Sequence, residues 1–288
     1  MRPLTLDAPK CLTQVGGEPI LGRLIDNLRL QGITRLVVVT GYLDHCVHEF
    51  LEHNAADFQV DYVFNPVYST TNNIYSLWLA QKAIEEAFVL VESDLVFEGS
   101  MLKPMLTADR IAISNTLPWM NGTVVELNSD KSVKAFRVSH NVDDARQYKT
   151  VNISSFSLQS WNKITARLDS YIADGRVNEY YETVFADMVA DGSLELDSVF
   201  FDENKWYEID CVKDLNQAEL MFPDVTQIGL SEPVRLGRVV RGLSTPKASI
   251  KVSPTIGTNS ISSVAKLLVP DNVVSINKLV PEKDLCPE

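Results

Sequence analysis

The sequence predicts an α/β fold built on a doubly wound, mostly parallel sheet. Two short runs carry much of this reading: Thr34–Thr40 (TRLVVVT) and Phe88–Val91 (FVLV) are apolar almost without interruption. Such runs read as strands buried on both faces, as parallel strands are when helices cover them on either side. Segments with apolar residues at helical spacing lie between the strands, so helix and strand alternate over the first hundred residues or so. The length, 288 residues with 45% hydrophobic side chains, suffices for one large core or two smaller ones.

Taken in order, Pro3 and Pro9 keep the first ten residues irregular. Gly16-Gly17 makes a turn, and Pro19 suits the first position of a helix. Ile20, Leu21, Leu24, Ile25, Leu28 and Leu30 form its apolar face, and Gly32 ends it. After the strand at 34–40, Asp44–His53 reads as a short helix and Phe58–Phe64 as a third strand. Asn65-Pro66 breaks that strand. Thr70 or Thr71 can cap the next helix, which buries Ile74, Leu77, Trp78 and Ala80. Beyond Phe88–Asp94, a helix over Gly99–Ala108 and a strand over Arg110–Asn115 are expected. Gly122–Leu127 and Ser132–Val138, joined by a polar loop, read as a β-hairpin. Lys149–Leu158 is a further strand, Trp161–Ile172 and Glu179–Ala190 are helices, and Leu194–Phe201 and Lys205–Asp210 are extended. Val212–Met221 is the last clear helix.

Charge divides the chain. Residues 1–224 hold 18 Lys+Arg and 33 Asp+Glu, whereas residues 225–288 hold 8 and 5, carry 6 of the 13 prolines and contain no aromatic residue. A boundary is therefore expected near Phe222–Asp224, with 1–224 as the main domain and 225–288 as an extension or the start of a further domain. The net charge of −12 argues against nucleic acid or an anionic membrane as the main partner. No apolar stretch is long enough to span a bilayer, and the N-terminus has no signal-like apolar region. Cys11, Cys46, Cys211 and Cys286 are scattered without metal-ligand spacing, which reads as reduced thiols in a cytoplasmic protein.

Candidate chemistry begins at Asp94, which closes the run FVLVESD. In an open α/β sheet, ligands gather beyond the carboxyl ends of the strands. A carboxylate there can hold a hard cation and through it a phosphate; alone, it also reads as a turn residue or cap. Asn72, Asn73 and Ser76 crowd one helix start, a setting that suits a nucleobase or phosphate as well as plain capping. His45, His48 and His53 lack the spacing of a metal set.

Several of these stretches resemble one family. Arg2-Pro3-Leu4-Thr5 with Pro9-Lys10 is similar to the "RPLT…PK" loop of nucleotidyltransferases, which make nucleotide-activated sugars and alcohols. Asn65-Pro66, Asn72-Asn73 and Tyr75-Ser76-Leu77 resemble the branch that activates phosphocholine or related phospho-amines with CTP. Ser93-Asp94 stands where the family has Gly-Asp, and Trp206-Tyr207-Glu208-Ile209-Asp210 followed by Asp214-Leu215 looks like its second acidic motif. The stretches from Trp119 to Val125 and from Tyr148 to Asn152 resemble members acting on phosphocholine or 2-aminoethylphosphonate.

The resemblance implies a Rossmann-like, glycosyltransferase-A-like fold with an inserted hairpin that forms the substrate region. It implies an Mg²⁺-dependent cytidylyltransferase taking CTP and a small phosphorylated or phosphonate amine. Asp94 and Asp210 would hold the Mg²⁺. Lys10, Arg2 and Lys149 would act as catalytic cations. Asn72, Asn73, Ser76 and Ser93 would border the nucleotide. Trp119, Tyr180, Tyr181, Glu182 and Trp206 are candidates for the ammonium pocket, since such head groups need aromatic or carboxylate walls. The family opens with a buried strand and a Gly-rich loop, "AAGxGxR", that this chain lacks before Arg2. If the chain is whole, Thr34–Thr40 and Phe88–Asp94 are expected to leave a gap in the sheet or to have it filled by another segment such as the tail; a misplaced start or a fragment is the simpler expectation. A sugar 1-phosphate enzyme using UTP or dTTP, and an inactive binding module, stay open as alternatives, as do a homodimer and a fused downstream domain.

Overall fold

The computed structural model describes residues 1, 4–117, 120–138 and 147–224, together with the backbone of 273–277. The chain divides into two units, 1–225 with 270–288, and 226–269; the second lies wholly outside the described residues.

A 3-10 turn, Lys10–Leu12, leads into the two short antiparallel strands β1 (Gln14–Val15) and β2 (Glu18–Pro19). Then follow α1 (Ile20–Leu30), β3 (Arg35–Thr40), α2 (Asp44–Asn54), β4 (Gln59–Phe64), α3 (Asn73–Ala80), β5 (Phe88–Glu92) and β6 (Leu95–Phe97). The helix expected over Gly99–Ala108 is a 3-10 helix, Gly99–Leu106. Pro104 lies inside it and cannot donate a backbone hydrogen bond there. The chain continues through β7 (Arg110–Asn115), the hairpin β8 (Val124–Leu127) and β9 (Val133–Arg137), and β10 (Gln147–Phe156). It ends with α4 (Leu158–Ala173), α5 (Tyr181–Ala190), β11 (Asp197–Phe200), β12 (Trp206–Glu208), α6 (Val212–Met221) and β13 (Val273–Asn277).

The main sheet runs β11-β7-β10-β5-β13-β3-β4. It is mixed: β13 is parallel to both β3 and β5, and β3 to β4, whereas β10 runs antiparallel to β5 and β7. Between β3 and β5, where the resemblance leaves a strand missing, the C-terminal segment supplies β13.

The apolar runs are explained by what covers them. All five residues of β5 are buried. Val89 and Val91 pack with Leu21, Leu24 and Leu28 of α1 on one side of the sheet. Phe88 and Leu90 pack with Ile74 and Leu77 of α3 and Trp161 of α4 on the other. Alternation along a strand with both faces covered leaves no polar position until the strand ends. Glu92, Ser93 and Asp94, the first polar residues, are still buried. They therefore need partners rather than solvent.

Cys11 and Cys46 carry free thiols, and burial pushes the Cys11 thiol up to about 12. Cys211 is disulfide-bonded, which corrects the reduced-thiol expectation at that position. Among the described residues no helix is long and apolar enough to cross a membrane.

Candidate active site

A two-stranded clip assembles the centre. β6 follows β5 after a two-residue turn and pairs antiparallel with β12, Leu95 opposite Glu208. The Ile209 N–H then donates to the Asp94 carbonyl at 3.0 Å. Asp94 and Asp210, remote in sequence, are set side by side by this register. The Lys10 ammonium lies between them, 3.1 Å from Asp94 Oδ2 and 2.8 Å from Asp210 Oδ1. Asp94 is buried, while the Asp210 side chain is 23% exposed. Charge-assisted contacts of this length, shielded from water on one side, are the strong kind.

Two further carboxylates join them. Glu92 accepts from Asn73 Nδ2 (3.1 Å) and the Tyr181 hydroxyl (3.0 Å) on one oxygen, and from Asn152 Nδ2 (3.1 Å) on the other. Glu208 accepts from Asn152 Nδ2 (3.1 Å) and from Lys149 Nζ (3.3 Å). Glu92, Asp94 and Glu208 each offer an oxygen within 4.8 Å of the others. Both acids escaped the sequence reading, although a signal was there. Glu92-Ser93-Asp94 and Glu208-Ile209-Asp210 share the form Glu-x-Asp at a strand end. A period of two points both carboxylates of such a pair to the same side.

The first turn of α6 fixes Asp210. Asp214 Oδ2 accepts from the backbone N–H of Asp210 (3.0 Å) and of Cys211 (2.8 Å). Burial pushes the Asp214 carboxyl up, and those two donors pull it partly back. Asp214→Ala should therefore lower stability by about 1 kcal/mol, the usual loss of a helix-start acceptor, and also lower turnover because Asp210 loses its tether. Asp214→Asn keeps an acceptor oxygen and should stay closer to wild type. Urea melts run beside turnover measurements check both.

The remaining sequence candidates divide. Lys149 is buried, and its ammonium donates to the Thr150 carbonyl (2.8 Å) and to Glu208. Asn72, not Thr70 or Thr71, caps α3, its side-chain oxygen accepting from Asn73 N at 2.8 Å. Asn73 is buried and braces Glu92 while its oxygen accepts the Tyr181 N–H (3.0 Å). Ser76 is buried and accepts from Asn65 Nδ2 (3.2 Å). These three side chains brace the loop and the helix start, a structural task that amides and hydroxyls at such a position also suit. Ser93 is buried next to Asp94. Arg2 and Trp119 lie outside the described residues. The histidines do not gather: His48 stacks on Tyr62, His45 meets Cys46 Sγ and His53 meets the Glu49 carbonyl.

Beside the acids opens a cleft of about 850 Å³ whose wall includes Met120, Lys149, Glu203, Trp206, Glu208, Asp210, Lys213 and Asp214. Trp206 is buried, and its indole N–H has no acceptor among the described residues. Tyr180, Tyr181 and Glu182 are not on this wall. Tyr180 is exposed ahead of α5, Tyr181 is buried with its hydroxyl on Glu92, and Glu182 is buried in the first turn of α5.

Known proteins resemble the chain over much of its length. Residues 5–117 match the MobA-like NTP transferase domain. The CMP-5'-(3-aminopropyl)phosphonate synthase of Streptomyces rubellomurinus is 31% identical over 230 residues, which are 74% of this chain and 35% of that protein. The choline-phosphate cytidylyltransferase of Streptococcus pneumoniae is 27% identical over 223 residues, 76% of this chain and 91% of that one. The chain thus spans about a third of the first relative's length and most of the second's. The solved CTP:phosphocholine cytidylyltransferase from Streptococcus pneumoniae superposes with a TM-score of 0.67 at 24% identity, covering 77% of this chain and 93% of that one. That likeness concerns the fold. The likeness to the MobA-like NTP transferase domain thus lies in residues 5–117, and the likeness to the two relatives extends over about three quarters of the chain.

Proposed function

We propose that the chain transfers a cytidylyl group from CTP to a small phosphorylated or phosphonate amine. An oxygen of the acceptor's phosphoryl group forms a bond to the α-phosphorus of CTP. The bond from that phosphorus to the oxygen bridging to the β-phosphate breaks, and pyrophosphate leaves with the electron pair. The observation that supports this most is the meeting of Lys10, Asp94 and Asp210 beside a cleft lined by both signs of charge.

A divalent cation fits the donors present. Glu92, Asp94, Glu208 and Asp210 are hard oxygen donors, against which the described residues set the ammonium groups of Lys10 and Lys149. Such a set suits Mg²⁺ better than a soft metal. Asp94 and Asp210 are the residues proposed to hold it. Bound there with the nucleotide, Mg²⁺ would supply charge neutralisation at the phosphates undergoing transfer.

The chain's own residues do the rest. Lys10 is poised to exchange a carboxylate for a phosphate oxygen, keeping its charge compensated as the nucleotide enters. The acid-lined wall of Glu203, Glu208 and Asp214 suits an ammonium group, and Lys149 and Lys213 suit the acceptor's anionic end. Positioning and charge complementarity are sufficient for this class of transfer, which needs no covalent enzyme intermediate. The test incubates the full chain with Mg²⁺, each of the four NTPs or dTTP, and phosphocholine, 2-aminoethylphosphonate or a sugar 1-phosphate, and assays pyrophosphate. Release with CTP above the other nucleotides is expected. No release from any combination overturns the proposal, and preference for UTP or dTTP with a sugar 1-phosphate replaces it.

A further inference from the structure

Asn152 stands in the middle of β10 with φ +58°, a left-handed backbone that a strand residue rarely adopts. The pairing of β10 with β7 shifts register between Thr150 and Ser154, so a bulge surrounds it. In a regular strand residues 149 and 152 face opposite sides. Here both reach one carboxylate: Lys149 Nζ donates to one oxygen of Glu208 and Asn152 Nδ2 to the other. The second hydrogen of the Asn152 amide goes to Glu92 Oε2 at 3.1 Å, and its oxygen accepts from the Thr150 hydroxyl at 3.1 Å.

An amide nitrogen shared between two carboxylates has a clear consequence. It satisfies one lone pair on each acid without adding charge, and it ties β5, through Glu92, to β12, through Glu208. We infer that Asn152 is a positioning residue for cytidylyl transfer: its amide fixes Glu208, which lines the acceptor cleft, against Glu92 at the end of the central strand. The left-handed backbone at the bulge is what lets one strand deliver both Lys149 and Asn152 to Glu208. Strain held at such a position is a usual companion of function. The inference rests on the function proposed above and names a residue that the sequence reading did not place in the site.

Asn152→Gly separates backbone from side chain. Glycine accepts a positive φ without penalty, so the bulge and the fold are retained while the amide is lost. The expected result is a folded protein with a melting temperature within a few degrees of the wild type, the positive φ now costing nothing while the hydrogen bonds of the amide are lost. Acceptor kcat/KM should fall at least roughly tenfold, the usual loss when a supporting hydrogen bond is removed, while the KM for CTP stays within about twofold. Binding of Mn²⁺ with CTP to the full chain, followed by electron paramagnetic resonance, should stay within about twofold of the wild type because Asp94 and Asp210 are untouched, and Asn152→Asp, which sets a further acid beside Glu92 and Glu208, should lower acceptor kcat/KM more than Asn152→Gly. An Asn152→Gly protein with wild-type acceptor kcat/KM overturns the inference and leaves Asn152 a backbone device only, and one that loses Mn²⁺ and CTP binding in step with acceptor kcat/KM overturns it as a general disruption of the site. A wild-type chain that neither releases pyrophosphate nor binds Mn²⁺ overturns the proposed function, and the inference with it.

Discussion

Asp94→Asn is expected to reduce pyrophosphate release about a thousandfold, the scale on which removing one fixed charge-stabilising group acts in a water-excluded site. The substitution preserves shape and one acceptor oxygen. Asparagine can still receive the Lys10 ammonium, and the backbone clip through the Asp94 carbonyl and the Ile209 N–H is untouched. What disappears is a buried negative charge. The fold should survive with a melting temperature within a few degrees of the wild type, while metal-dependent turnover fails. Steady-state assays at saturating CTP, run beside thermal melts, separate the two. A variant with near-normal turnover would show that the Asp94 charge is not used.

Lys10→Met should be nearly as damaging to turnover, with a loss of about a hundredfold or more, because a preorganised cation at the phosphates is removed. Its effect on metal binding should have the opposite sign. Lys10 is within 3.1 Å of Asp94 and 2.8 Å of Asp210, so it holds the same two carboxylates that a divalent cation would need. Methionine leaves them without that ammonium, and the nucleotide-free protein should bind Mn²⁺ more tightly than the wild type. Lower activity together with tighter metal binding is a combination that simple misfolding would not give. Unchanged or weaker Mn²⁺ binding would show that Lys10 does not compete for these acids.

Much of the fold was legible because β3 and β5 are covered on both faces and must be apolar throughout, and because α1 and α3 bury one face each. The antiparallel entry of β10 was not legible, since an apolar run carries no direction. Nor could local pattern assign β13 to the place between β3 and β5: that pairing joins the two ends of the sequence. In the site, Lys10, Asp94 and Asp210 could be named from motifs, and their closeness follows from the pairing of β6 with β12. Asn72, Asn73 and Ser76 show the limit of such reasoning. A helix start rich in amides suits a ligand and a brace equally well, and here each has a partner in the surrounding structure. Asn152 could not be singled out from sequence, because its importance lies in a left-handed backbone at a bulge.

The most direct measurement of the central claim is Mn²⁺ binding to the full chain in the presence of CTP, compared among the wild type, Asp94→Asn and Asp210→Asn. If the two acids share one cation beside Lys10, each variant should bind Mn²⁺ at least about tenfold more weakly, and the double variant should be little worse than either single one. Wild-type affinity in both single variants would contradict the claim and move the cation, or the whole reaction, away from this centre.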